Sequence, residues 1–206
     1  MKLAAAVFLV AQSLTPSVTD SNEHRAIRQY RLTELSHAIA EAAESNRWGF
    51  DEPLLAGMLL SLARRETELA SYVWHGCLLP GAFGGIELKF GHCDPDPDSG
   101  MPQSLSYFQL KQRVCPELFR IPQGTALATR EAARCAARAL VGAYFRCLRR
   151  PPSQRPWGAV AGAFSGYGYS TVCDHPSSPE RAFTAVWMSE RIRANQAQNQ
   201  GTRKSD

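Results

Sequence analysis

No stretch of this chain is long and apolar enough to span a bilayer, which takes about 20 residues, so stable membrane insertion is not expected. A large charge imbalance is missing too. The net charge is only +4. That suits an anionic polymer but falls short of the dense basic patch that nucleic-acid binding requires. No GxSxG, HExxH or phosphate-cradling glycine loop occurs, which removes the common signatures of serine hydrolases, zinc proteases and nucleotide-binding proteins. Internal repeats are absent. So is any CxxC pair, which argues against redox-motif and zinc-ribbon readings.

What is present is 206 residues, 44% of them hydrophobic and 20% charged, enough for one sizeable core but a squeeze for two domains. The first residues read as an export leader. Lys2 supplies a positive start, residues 3–10 a short apolar run, and Ala11-Gln12-Ser13 small residues at the spacing a signal peptidase prefers. The competing reading is the start of a buried helix. Six cysteines (Cys77, Cys93, Cys115, Cys135, Cys147 and Cys173) read as three disulfides formed in an oxidising compartment, secreted or periplasmic. A zinc site at His75, Cys77, His92 and Cys93 is the rival. It strains the backbone, because His92 and Cys93 are neighbours and both must reach one tetrahedral ion. Neither a metal nor a cofactor is expected.

The chain divides into a leader over residues 1–13, a loose polar segment over 14–29, one domain over 30–194 and a disordered tail over 195–206. In the domain, Leu32, Leu35, Ile39, Ala42 and Ala43 recur at helical spacing. Asp51 can cap a second helix with Pro53 in its first turn, where the missing amide donor costs nothing. That helix carries Leu54, Leu55, Met58, Leu59 and Leu62 on one face. Residues 71–105 are irregular, with six glycines and four prolines. Only Ile86 to Phe90 alternates as a half-buried strand does. A short helix over 104–118, a long one over 129–149, one near Trp157 to Phe164 and a last one over 179–193 complete the pattern. The class expected is mainly α: a helical bundle with a small irregular β lobe, stapled by disulfides.

Glu66 carries the chemistry of this reading. At 100° per residue, Leu55, Leu59, Leu62 and Glu66 fall within an arc of about 60°, so a carboxylate ends an apolar stripe. Glu68 points the opposite way, where a solvated acid belongs. Hydrocarbon around a carboxylate disfavours its charged form and keeps it able to donate a proton. The plainer reading pairs Glu66 with Arg64 or Arg65 at the core edge.

Three segments, in order, resemble the lytic transglycosylase family of the lysozyme-like superfamily. FDEPLLAGMLLSLARRETELAS looks like its catalytic helix, with Glu66-Thr67 in the place of a Glu followed by a hydroxyl residue. Ser106-Tyr107-Phe108-Gln109-Leu110 resembles the Gly-Leu-Met-Gln motif, with Gln109 at the glycan-contacting glutamine. The run from Val160 to Gly166 resembles the Ala-Ala-Tyr-Asn-x-Gly helix end, Phe164-Ser165 standing where the family has Tyr-Asn. The resemblance covers residues 30–190. It implies a lysozyme-like α+β fold and cleavage of peptidoglycan between N-acetylmuramic acid and N-acetylglucosamine. Glu66 would be the general acid and base, with Thr67, Ser106, Gln109, Phe164, Ser165 and Gly166 about the sugar. Ser106 replaces the family glycine, and the missing Tyr-Asn pair favours a second reading, a non-catalytic secreted module binding glycan or protein. The chain is expected to act as a monomer.

A hydrolase, unlike an anhydro-forming transglycosylase, usually needs a second carboxylate across the cleft. Asp94, Asp96 and Asp98 are the candidates. The plainer reading is an acidic loop, and a degenerate calcium loop is the third, lacking the glutamate that closes one. For the cysteines, element order suggests Cys77–Cys93 across the glycine-rich loop. Cys135 and Cys147 lie roughly 18 Å apart on one helix and cannot join. An antiparallel return of the helix near Trp157 then gives Cys135–Cys173 and Cys115–Cys147.

Overall fold

The computed structural model describes residues 2–14, 23–80, 86–88, 98, 102–148 and 178–201. Its architecture is mainly helical with a small antiparallel β lobe and a disulfide, the class expected. The helices are α1 (Leu3–Ser13), α2 (Arg25–Glu44), α3 (Glu52–Thr67), α4 (Ser71–Trp74), α5 (Ala126–Leu148) and α6 (Ser178–Gly201). Between α4 and α5 lie strands β1 (Leu78–Pro80), β2 (Ile86–Leu88), β3 (Ser104–Leu105) and β4 (Leu110–Lys111), then a 3₁₀ helix over Pro116–Arg120. Strands β1 and β2 pair antiparallel with Leu79 opposite Glu87, and β3 and β4 with Leu105 opposite Leu110.

Helix α3 is the centre of the molecule, in contact with α1, α2, α5 and α6. Asp51 caps it as expected, accepting from the Leu54 amide at 2.8 Å, and Arg193 of α6 pairs with the same carboxylate at 2.6 Å. One expectation needs correcting. The helix is buried all round from Leu55 to Ala63, not on one face, because Ala56, Gly57 and Ser61 make room for close neighbours behind the leucine stripe. Gly57 shows how close. A Cβ there would lie 2.1 Å from the Ser189 Oγ, 2.7 Å from the Ser189 nitrogen and 2.9 Å from the Ala185 carbonyl. Overpacking costs about 1–3 kcal/mol and the better helix propensity of alanine returns about 1. Gly57→Ala should therefore lower the Tm, and an unchanged Tm would show that α6 can move aside at no cost.

The termini depart from the sequence reading. Leu3, Ala6, Val7, Val10 and Ala11 of α1 are buried, and the helix packs against α2, α3 and α6. Residues 25–29 belong to α2 and residues 195–201 to α6, so these parts are ordered helix, not loose segment or tail. Buried hydroxyls along the helices are satisfied locally: Ser36 donates to the Leu32 carbonyl and Ser189 to that of Ala185.

The segment over 104–118 is not a helix. It forms the β3–β4 hairpin, a tight turn and the start of the 3₁₀ helix. The cause is visible in the backbone: Ser106 (φ 70°) and Gln109 (φ 48°) are left-handed, which a right-handed helix cannot contain. The disulfides are corrected too. Cys115 joins Cys135, with Cα atoms 5.9 Å apart, in place of the expected Cys115–Cys147 and Cys135–Cys173 pairs. The 3₁₀ helix packs against α5 and folds the chain back on itself, so Cys115 reaches Cys135 across a separation of only 20 residues. Cys77 is disulfide-bonded, which takes its sulfur away from any zinc site. Its expected partner Cys93 lies outside the described residues, as do His92, Cys173 and the segment 157–166.

Candidate active site

Helix α3 ends in a left-handed cap. Glu68 (φ 52°) returns its amide to the Arg64 carbonyl at 2.9 Å, and Leu69 (φ 59°) is left-handed as well. This double reversal turns the chain off the helix beside Glu66. Glu66 itself is partly buried on the last turn, whereas Glu68 is exposed. Arg64 donates to the Glu68 carbonyl at 3.1 Å, and Arg65 meets Glu180 of α6 at 3.5 Å. A cavity of about 300 Å³, lined by Ser61, Arg64, Arg65, Glu68, Glu180 and Thr184, opens on the Glu68 face of α3, opposite Glu66.

The hairpin turn faces the end of α3. Thr67 is fully buried, and its hydroxyl donates to the Ala63 carbonyl at 2.9 Å, with the Tyr107 carbonyl at 3.4 Å. A hydroxyl so enclosed ties helix to hairpin. Ser106 is also buried, and its hydroxyl accepts from the Phe108 amide at 3.2 Å. Its left-handed φ is one that glycine adopts without cost. The serine side chain instead holds the turn by its own hydrogen bond.

Gln109 is partly buried and both ends of its amide are used. Oε1 accepts from the Ser104 hydroxyl at 2.7 Å and Nε2 donates to the Ser106 carbonyl at 3.2 Å. Gln109 thus closes the hairpin with both ends of its amide. Gln109→Ala should cost about 1–3 kcal/mol, since it leaves the buried Ser104 hydroxyl without this acceptor. Gln109→Gly should cost less, because glycine takes the positive φ freely. Urea denaturation reads both; equal losses would mean that the turn does not depend on its left-handed backbone.

The sequence reading missed a buried polar cluster behind this turn. Arg31 of α2 is 1% exposed and makes a two-pronged ion pair with Glu23, Nε to Oε1 at 2.7 Å and an Nη to Oε2 at 2.6 Å. Its other Nη donates to the Leu69 carbonyl at 3.0 Å and to the Tyr107 hydroxyl. One guanidinium therefore clamps the chain just after Glu66 to the hairpin. Burial alone lowers the pKa of Arg31, but the Glu23 carboxylate and the Tyr107 oxygen more than offset this, and the net shift is upward. His75 is held below its ordinary pKa, first by desolvation and then by the positive charge of Arg31, against a smaller opposing pull from Glu23. A signal for Arg31 was there to find. On α2 it falls on the stripe of Leu35, Ile39 and Ala42, as Glu66 does on α3.

Asp98 is exposed. Asp94, Asp96, Phe164, Ser165 and Gly166 lie outside the described residues. The structure therefore brings Glu66, Thr67, Ser106 and Gln109 to one end of α3. Compared with known families, curated proteins and solved structures, the chain matches none.

Proposed function

We propose that this chain cleaves bacterial cell-wall glycan between N-acetylmuramic acid and N-acetylglucosamine, with Glu66 as general acid and base. The observation that carries the proposal is a partly buried carboxylate on the last turn of a helix otherwise enclosed by core, next to a hairpin held at several points. Protonated Glu66 gives its proton to the glycosidic oxygen as the bond to C1 breaks. The resulting carboxylate then takes the proton of the C6 hydroxyl, whose oxygen closes on C1 to give an anhydro sugar. Water would take the place of that hydroxyl in a hydrolase, with a second carboxylate to activate it or steady the cation.

A secreted or periplasmic location accords with the Cys115–Cys135 bridge, since such bonds persist in oxidising compartments. The test is loss of turbidity of purified cell wall, followed by mass analysis of the soluble sugars. Anhydro ends identify a transglycosylase and reducing ends a hydrolase. Intact walls after prolonged incubation would favour the second reading, a non-catalytic module that binds glycan or protein. What speaks for that module is Gln109, whose amide is spent inside the hairpin.

A further inference from the structure

At the opposite end of α3 from Glu66, roughly 20 Å away by helical rise, lies an open cavity of about 540 Å³. That volume falls within the roughly 300–1,000 Å³ usual for small-molecule sites. Its lining comprises Arg47 and Trp48 from the α2–α3 loop, Arg134 and Arg138 from α5, and Ala42 and Ala137 as small apolar walls, with Ser45 and Asn46 at the loop's start.

The loop is built to present Arg47 and Trp48. The Asn46 side chain accepts from the Phe50 amide at 3.2 Å and donates to the Ala43 carbonyl, while Gly49 supplies the left-handed φ of 70° that the turn requires. Phe50 in turn packs edge-on against Tyr144 of α5, ring centroids 4.8 Å apart. Trp48 is left 44% exposed beside the cavity. An indole turned to solvent from a braced loop is costly to leave unused, since tryptophan normally buries most of its large apolar surface.

Charge supplies the second half. Arg130, Arg134 and Arg138 are four residues apart and form a ridge along α5, and Arg47 faces them from the loop. Glu41 pairs with Arg130 and Arg134, and Glu131 meets Arg138 at 3.7 Å. Three of these guanidiniums, Arg47, Arg134 and Arg138, line the cavity, and neither carboxylate does. The arginine partners in these pairs are half exposed, and such pairs are weak in water, so the arginines can turn to an incoming anion. Guanidinium groups only donate hydrogen bonds and match carboxylate or phosphate two-pronged. The Asn46 amide, which could have read the edge of a nucleobase, is committed to the loop. The cavity therefore asks for a ligand rich in acceptor oxygens, anionic, with one flat face for the indole.

We infer that this cavity binds an anionic saccharide, a sugar ring stacked on Trp48 with its carboxylate or phosphate held by Arg47, Arg134 and Arg138. The inference does not depend on Glu66 being catalytic. The test titrates the whole protein with glucuronate and glucose 6-phosphate while following tryptophan emission, with glucose, inorganic phosphate and AMP as comparators. Either anionic sugar should change the emission saturably, and which of them does so tells carboxylate from phosphate. Glucose and phosphate should each bind at least about tenfold more weakly, the loss of roughly one charge-assisted contact or of the stacked ring. Arg47→Ala and Arg138→Ala should each weaken binding by about the same factor, and Trp48→Phe should abolish the emission change. All three positions are exposed, so the variants should fold as the parent does. No saturable response to either sugar overturns the inference. So does AMP binding tighter than both, or a response that survives Arg47→Ala and Trp48→Phe.

Discussion

Glu66→Gln should lose about 10²- to 10⁴-fold in cell-wall cleavage, the contribution typical of a positioned acid, while unfolding at the parent temperature. The amide keeps the size and hydrogen-bonding capacity of the carboxyl but has no proton to give to a leaving oxygen. Stability should hold because Glu66 is only partly buried, unlike the run from Leu55 to Ala63, and glutamine keeps its size. Glu68→Gln is the matched control. It lies two residues on, is exposed, and caps the helix through its backbone, so rate and Tm should both stay close to the parent's. Turbidity loss and calorimetry on the same preparations read the two quantities. A Glu66→Gln protein that clears walls at the parent rate would move the acid elsewhere, and the 94–98 aspartates would be the next to test.

The second large effect is expected at Arg31. Arg31→Met removes one partner of an ion pair whose side chains are 1% and 6% exposed, leaving the Glu23 carboxylate buried without its counter-charge. Breaking a buried pair in this way costs about 3–5 kcal/mol, far more than any surface pair in this molecule. The Leu69 carbonyl and Tyr107 hydroxyl lose a donor at the same time. Glu23→Gln should cost less, because it keeps an acceptor for the guanidinium and removes the charge instead of stranding it. The pKa of His75 should rise in Arg31→Met, since a positive charge that holds it down is gone, and proton NMR of the imidazole follows this directly. A Tm within a degree of the parent's would mean that Glu23 and Arg31 separate into water at little cost.

The bearing on the proposed site is specific. Arg31 touches no expected sugar contact, yet it joins Leu69, three residues past Glu66, to Tyr107 of the hairpin. Thr67 makes a parallel link one residue past Glu66. The carboxylate therefore stands on a helix end fixed from both sides, as a proton donor that must meet one oxygen requires.

Much of this was legible in residue order. The helical stripe of α2, the Asp51 cap with Pro53 behind it, the long helix that becomes α5 and a strand at Ile86–Leu88 all survive in the structure. So does the distinction between Glu66 and Glu68, one partly buried and one exposed. Helical spacing and caps are set by contacts three or four residues apart, which a sequence displays directly. The SYFQL segment failed that test. Its short apolar run is compatible with either helix or strand, and what decides it is a set of hydrogen bonds from Ser104, Ser106 and Gln109 that form only once the turn is made.

Sequence alone therefore determined the helical class, the helix that Asp51 caps and the place of a partly buried acid near its end. Tertiary structure decided that α1 belongs to the core, that Cys115 meets Cys135, and that Arg31 is buried and not a solvated surface charge. The reason is one of range. Periodicity is a property of neighbours along one helix, whereas burial of an ion pair and closure of a disulfide depend on where the chain reverses. Here the reversals rest on a 3₁₀ helix and on left-handed residues that are not glycine, Glu68, Leu69, Ser106 and Gln109 among them, which carry no local mark of a turn.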